Sequence, residues 1–175
     1  MGIGLSWSGD FYDLNTYWVL WISRYAKKAP YQAKNKYFTK LTQQQIIQKC
    51  ELGILNLKKL KLYCKKKKID FLCTPFDLKS LRDLKKIGEK KIKVSSCNFN
   101  NTVFLEEAIK SGFELLLSSG LADKNELNQI VDFLKRKKAK ILLFQCTSDY
   151  PASNSLANIK FLDSLKKFKI TLGYS

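Results

Sequence analysis

A parallel β/α fold is predicted by three observations. Five short apolar runs, 69–74, 92–96, 114–119, 141–148 and 170–175, each finish in Ser or Thr. A helical pattern follows every run but the last. The unit recurs every 22 to 29 residues, the length of one strand plus one helix. Strands joined by helices imply parallel ladders with right-handed crossovers. Runs that are apolar on both faces suit a covered parallel sheet. In such folds the carboxyl ends of the strands share one rim, and ligands bind there. The hydroxyl tips, with Lys93 among them, therefore predict a ring of small donors suited to a phosphorylated or carboxylated small molecule.

Each element has its own justification. Gly2-Ile3-Gly4-Leu5 reads as the tail of a strand, residues 14–25 as helical but bulky, and Gln43 to Leu52 as a short helix. Leu57, Leu60, Leu62 and Cys64 place apolar groups near one helix face, closed by Lys65-Lys66-Lys67-Lys68. The strand Ile69 to Thr74 is stopped by Pro75, which has no N–H to donate. Asp77 or Ser80 can cap the next helix, whose apolar positions are Leu78, Leu81, Leu84 and Ile87, and Gly88 ends it. After the strand Ile92 to Ser95, Asn101 caps a helix carrying Val103, Leu105, Ala108 and Ile109, closed by Gly112. The strand Glu114 to Ser118 leads to the best local signature in the chain. There, Asp123 and Glu126 form a capping-box-like pair before Leu127, Ile130, Val131 and Leu134. A strand from Ile141 to Cys146, a turn at Asp149-Tyr150-Pro151, a helix with Leu156, Ile159, Leu162 and Leu165, and a strand from Ile170 to Tyr174 complete the pattern. No Gly/Pro/Ser linker interrupts it, so residues 1–175 are expected to form a single domain.

Composition bounds the function. The chain has 175 residues, 45% of them hydrophobic, enough for one domain with a real core. No apolar run reaches the roughly 18 residues of a membrane span, and the first 25 residues lack the pattern of a signal peptide. The five cysteines are odd in number and contain no C-x-x-C pair. They read as reduced thiols of a cytoplasmic protein rather than a metal or redox site, with Cys97 and Cys146 near the rim. The formal charge is +17, yet the only arginines are Arg24, Arg82 and Arg136. Arginine is the usual residue for bidentate phosphate and base recognition. Runs such as Lys65 to Lys68 and Lys135-Arg136-Lys137-Lys138 close helices, where cations favour the negative end of the dipole. They read as solvated helix surface, which argues against nucleic acid. A lysine-rich polyanion- or nucleic-acid-binding module is the alternative function. The chain has no histidine, so the commonest general base and metal ligand is absent from it. Chemistry here has to use Lys, Tyr, carboxylates, hydroxyls or groups outside the chain. No strand is followed by G-x-G-x-x-G or by G-x-x-x-x-G-K-S/T, which excludes the common nucleotide-binding fingerprints.

The strand ends carry a resemblance. Phe71-Leu72-Cys73-Thr74-Pro75-Phe76-Asp77 resembles the F-x-S-T-P-F-D segment of the N-acetylneuraminate (sialic acid) synthase family. Ile92-Lys93-Val94-Ser95-Ser96 is similar to its Y-K-I-x-S-G-E segment, and Leu117-Ser118-Ser119-Gly120 to L-S-T-G. Gln145-Cys146-Thr147-Ser148-Asp149-Tyr150-Pro151 resembles H-C-T-S-x-Y-P, and Gly173-Tyr174-Ser175 the start of G-Y-S-D-H-T. The matches fall in order and at about the family's spacing. Near the N-terminus, Ile3 to Asp10 is similar to I-G-x-N-H-x-G-D, and Tyr31-Gln32 falls where the family has K-Y/F-Q.

The resemblance implies a TIM-barrel enzyme that condenses phosphoenolpyruvate with an N-acyl hexosamine such as N-acetylmannosamine. The product is a nonulosonic acid, and phosphate leaves. A divalent metal, Mn or Mg, would hold the sugar aldehyde, and the family is typically a homodimer. By the same resemblance Thr74, Lys93, Ser96, Ser118, Ser148 and Ser175 would contact phosphoenolpyruvate, with Lys93 the catalytic cation. Gln32 and Tyr150 would face the sugar. Departures cluster on the chemistry: Ser6-Trp7 replaces N-H, Pro30 a lysine, Cys97-Asn98 a Gly-Glu pair, and Gln145 a histidine. In the family, the metal-binding histidines, the eighth strand and a small antifreeze-like domain lie beyond the point matching Ser175. A closed barrel takes about 250 residues, so an incomplete barrel of six to seven strands is expected, inactive alone and binding no metal itself.

Overall fold

The computed structural model describes residues 2–3, 36–38, 40–50, 52–147 and 152–175. Gln32, Ser148 and Tyr150 lie outside the described residues, as do the helical pattern at 14–25 and the turn at 149–151. The chain divides into two compact units, 1–76 and 77–175.

The first unit holds β1 (Gly2–Ile3), α1 (Gln43–Cys50), α2 (Ile54–Lys66) and β2 (Cys73–Thr74). Helix α1 opens on a reciprocal cap. The Gln45 N–H donates to Thr42 Oγ1 at 3.2 Å, and the Thr42 N–H donates to Gln45 Oε1 at 2.8 Å. Helix α2 buries Leu57 and Cys64 but leaves Leu62 exposed. The i+3, i+4, i+7 progression from Leu57 reaches 60, 61 and 64, so the expected place of Leu62 on the apolar face is corrected. The strand expected over 69–74 contracts to Cys73–Thr74. Lys68 bends the chain with φ 57°, Ile69 and Asp70 are exposed, and Pro75 follows. The expected parallel pairing is corrected here as well: β2 pairs antiparallel with β1, Gly2 opposite Thr74 and Ile3 opposite Cys73.

The second unit carries the parallel sheet. Its elements are α3 (Leu78–Lys86), β3 (Lys91–Val94), α4 (Thr102–Lys110), β4 (Glu114–Ser118), α5 (Lys124–Arg136), β5 (Ile141–Gln145), α6 (Phe161–Leu165) and β6 (Thr171–Tyr174). Short 3₁₀ turns lie at Ser96–Asn98, Asn154–Leu156 and Lys166–Phe168. All three ladders are parallel, and the strands follow chain order, β3-β4-β5-β6. A sequential order without reversal is singly wound, the order of a β/α barrel rather than of a doubly wound sheet.

The two faces of this sheet differ. Ile92, Val94, Leu115, Leu117 and Leu143 are all at 0% exposure on one face. Leu81 and Leu84 of α3, Leu105 of α4, Leu127, Val131 and Leu134 of α5, and Leu165 of α6 are also buried. On the other face Lys93, Leu116, Leu142, Phe144 and Gly173 are only half-buried. Helices cover one face, and the second is left for the inside of a barrel.

Local chemistry sets the helix boundaries. Asp77 caps α3, accepting from the Ser80 N–H at 2.8 Å and the Ser80 hydroxyl at 2.7 Å. Asn101 caps α4 through the Phe104 N–H at 3.1 Å. The capping box of α5 is complete, with Asp123 accepting from the Glu126 N–H at 2.9 Å and Glu126 from the Asp123 N–H at 3.1 Å. In α4 Phe104 is buried beside Leu105 and Ala108, and Val103, expected on the apolar face, is exposed. Burial alone would raise the Asp83 carboxyl in α3. The Lys86 and Lys79 ammoniums, at 3.0 and 3.2 Å, win and hold it below the ordinary carboxylate range.

Four helices end alike. Gly88, Gly112, Lys68 and Lys138 take left-handed φ values of 72°, 77°, 57° and 54°. The next N–H reaches back to the last turn in each, as in Glu89 to Leu84 at 3.0 Å and Ala139 to Leu134 at 3.0 Å. A side chain in this conformation costs about 1–2 kcal/mol. Lys138→Gly is therefore expected to raise stability by about 1 kcal/mol, read as a higher urea midpoint at unchanged slope. An unchanged or lower midpoint would refute this account of the helix end.

Candidate functional site

The half-buried face is built by parity and register. Side chains alternate along a strand, and paired residues in neighbouring strands share a face. Lys93 pairs with Leu116, Leu116 with Leu142, and Leu142 with Thr171. One row further, Ser118 pairs with Phe144 and Phe144 with Gly173. Ser175 follows by parity at the carboxyl end. Lys93, Ser118, Phe144, Gly173 and Ser175 thus occupy one face, towards the rim where the strands end.

The contacts on this face are specific. The Lys93 ammonium donates to Ser175 Oγ at 2.9 Å and lies 5.9 Å from the centre of the Phe144 ring. Lys93 is on β3 and Ser175 follows β6. Three strand spacings of about 4.8 Å would separate those strands in a flat sheet, farther than a lysine side chain reaches. The bond therefore needs the sheet to curl towards this face, as a barrel does. Ser118 is 4% exposed, and its Oγ has no hydrogen-bond partner among the described residues. Buried hydroxyls are rarely left this way, because the lost water contacts go unreplaced. At the other end of the face Lys91 pairs with Glu114 at 3.5 Å, so that cation is already matched. Among the described residues no carboxylate pairs with Lys93.

The other expected site residues have different surroundings. Ser96 lies beyond β3 in a 3₁₀ turn, and its Oγ accepts from the Gly120 N–H at 3.1 Å. With Cys97, Asn100, Leu121 and Glu126 it lines a cleft of about 220 Å³. Thr74 ends β2 in the first unit. Gln145, where the resemblance has a histidine, shares the covered face with Leu143 and is buried. Asn98, in place of a glutamate, is also buried, and its Oδ1 accepts from the Asn101 amide at 3.2 Å, beside the cap of α4. Cys64 and Cys73 are buried free thiols, while Cys97 is exposed.

Motif reading missed two residues that shape this face. Phe144 was visible only as an apolar strand residue; the parity that sets it beside Lys93 needs the register. Ser119, a neighbour of the expected Ser118, donates through both its N–H and its hydroxyl to the Phe144 carbonyl, at 3.1 and 2.8 Å.

Among the described residues no three His, Cys, Asp or Glu side chains converge. These residues do not fit a Mn or Mg site. No helix among them is long and apolar enough to cross a membrane.

Known proteins resemble this chain in sequence and in fold. The chain is 40% identical over 158 residues to an N,N'-diacetyllegionaminic acid synthase of Campylobacter jejuni, covering 88% of this chain and 47% of that protein. It is 28% identical to the N-acetylneuraminate-9-phosphate synthase of Mus musculus, over 67% of this chain and 33% of that one. A sialic acid synthetase of Leptospira borgpetersenii, solved with citrate, superposes with a TM-score of 0.69 at 34% identity, covering 81% of this chain and 48% of that one. The chain spans about half the length of the Campylobacter and Leptospira relatives. Residues 17–175 match the NeuB family, a stretch that takes in the whole parallel sheet and the Lys93–Ser175 pair, and the chain belongs to that family.

Proposed function

We propose that this chain carries the phosphoenolpyruvate-binding side of a cytoplasmic nonulosonic acid synthase. Such an enzyme joins phosphoenolpyruvate to an N-acyl hexosamine with release of phosphate. One observation carries the reading: a lysine ammonium with no carboxylate partner among the described residues sits on the open face, bonded to the Ser175 hydroxyl, with the orphan Ser118 hydroxyl on the same face. Lys93 would neutralise carboxylate or phosphate as a point charge, and Ser118 and Ser175 would donate to the remaining oxygens. Thr74, Ser96 and Ser148 join them by sequence match, as do Gln32 and Tyr150 on the sugar side. In the whole enzyme, Mn or Mg and a second copy of the chain are further expected partners.

The test is direct titration of the chain with phosphoenolpyruvate, wild type against Lys93→Ala. Saturable binding that the substitution removes is the expected result. Equal affinity of the two proteins would sink the reading.

Ser118→Ala separates stability from binding. Removing an unsatisfied buried hydroxyl is expected to raise stability by up to about 1 kcal/mol, while phosphoenolpyruvate affinity falls. A melting temperature that drops, or an affinity that holds, would show that the hydroxyl has other work.

Turnover is a different matter. Asn98 is committed to the α4 cap region and lacks a carboxylate's charge, and the chain has no histidine to move a proton. We expect no phosphate release from phosphoenolpyruvate, N-acetylmannosamine and Mn with this chain alone. Release that disappears in Lys93→Ala would overturn that expectation.

A further inference from the structure

We propose that Phe144 is a positioning residue: its ring, seated on Gly173 and anchored through Ser119, holds the Lys93 ammonium at Ser175. The proposal rests on the phosphoenolpyruvate reading of this face and names the parts that keep its cation in place.

Contacts from three strands converge on Phe144, two at its ring and one at its backbone carbonyl. From β3, Lys93 Nζ lies 5.9 Å from the ring centre. From β6, a Cβ built on Gly173 would lie 2.7 Å from Phe144 Cε1 and 2.8 Å from Cδ1. Carbon atoms pack at about 3.5–4.0 Å, so the ring fills the space that a side chain at 173 would need. From the end of β4, Ser119 donates twice to the Phe144 carbonyl, and Cys146 Sγ lies 3.6 Å from the same oxygen. Ser119 is buried. The backbone is held where the side chain leaves it, and the ring is held against β6.

The chemistry explains why a ring stands here. A lysine side chain is long and flexible, so a useful ammonium has to be held in place. A carboxylate would hold it by charge, but would also compete with an anionic ligand. An aromatic face attracts the cation through its quadrupole and leaves the net charge intact. Together with the Ser175 hydroxyl, the ring orients the cation and keeps it available to an anion. Lys91, matched with Glu114 at 3.5 Å on the same face, shows the alternative arrangement.

The experiment reads the ring directly. Lysines are labelled with ¹³C at Cε, and the Lys93 resonance is assigned by its loss in Lys93→Ala. In the wild-type chain without ligand, the ring current is expected to shift this resonance upfield. Phe144→Leu, which keeps an apolar side chain, is expected to return it to the ordinary lysine position and to weaken phosphoenolpyruvate binding about 2- to 5-fold. Gly173→Ala is expected to do the same by displacing the ring, and Phe144→Tyr to retain both properties. A wild-type resonance at the ordinary position, or leucine and tyrosine variants with equal affinity, would overturn the proposal. Absence of phosphoenolpyruvate binding by the wild-type chain would instead sink the proposed function, while the ligand-free signal would still decide whether the ring positions Lys93.

Discussion

Lys93→Ala is expected to weaken phosphoenolpyruvate binding about 10- to 150-fold while leaving the melting temperature nearly unchanged. The ligand is an anion with carboxylate and phosphate ends, and hydrogen bonds to charged groups contribute about 1.5–3 kcal/mol each, at 1.4 kcal/mol per tenfold change. Lys93 is half-buried and lies on the open face, so its loss opens no cavity in the core. Surface changes of this kind usually stay within about 0.5 kcal/mol of stability. Lys93→Arg is expected to restore charge without restoring affinity in full, because a planar fork does not replace a point ammonium seated on a ring. Calorimetric titration and a thermal melt on the same samples check all three statements. A large fall in melting temperature for Lys93→Ala would mean that the side chain belongs to the core and not to a ligand site.

The second large effect concerns two adjacent leucines. Leu117→Ala is expected to cost about 2–5 kcal/mol, the usual range for a leucine deleted from a packed core, because Leu117 has 0% exposure on the helix-covered face. Leu116→Ala is expected to cost clearly less, because Leu116 points to the half-buried face. The two residues are chemically identical and consecutive, so propensity and composition cancel in the comparison. Urea unfolding of both variants reads the difference, and equal losses would refute the one-sided covering of the sheet. The same one-sidedness underlies the site, since the face left open by the helices is the face that carries Lys93.

Helix ends were the most legible part of the fold. The Asp123/Glu126 box, the Asn101 cap and the glycine stops at 88 and 112 appear as read, and of the two candidates for the α3 cap, Asp77 and Ser80, the structure uses Asp77. Each is a contact within a few residues, so its donors and acceptors are neighbours in the sequence. The stretch before β6 was less legible. Leu156, Ile159, Leu162 and Leu165 recur every three residues and suggested one helix. Leu156 and Ile159 are exposed, Leu156 lies in a 3₁₀ turn, and α6 is a short helix, with Leu165 and then Phe168 buried. A strict period of three drifts around an α-helix of 3.6 residues per turn, and burial elsewhere decided which members of the series were used.

The site divides along the same line. The alternation of strand side chains, the hydroxyl at each strand end and the motifs that lead to the NeuB family are local, and the order of residues determined them. Which hydroxyls share a face with Lys93 is not local. Lys93 and Ser175 are 82 positions apart and meet only through three ladder registers and the curl of the sheet. A one-residue change of register would exchange the two faces of a strand. Tertiary structure alone turned Ser96 to the Gly120 N–H, left the Ser118 hydroxyl without a partner among the described residues, and set Phe144 beneath the ammonium. The physical reason is that a strand's own sequence fixes only the alternation of its side chains, whereas the pairing of strands and the packing of helices on one side choose the face that stays open.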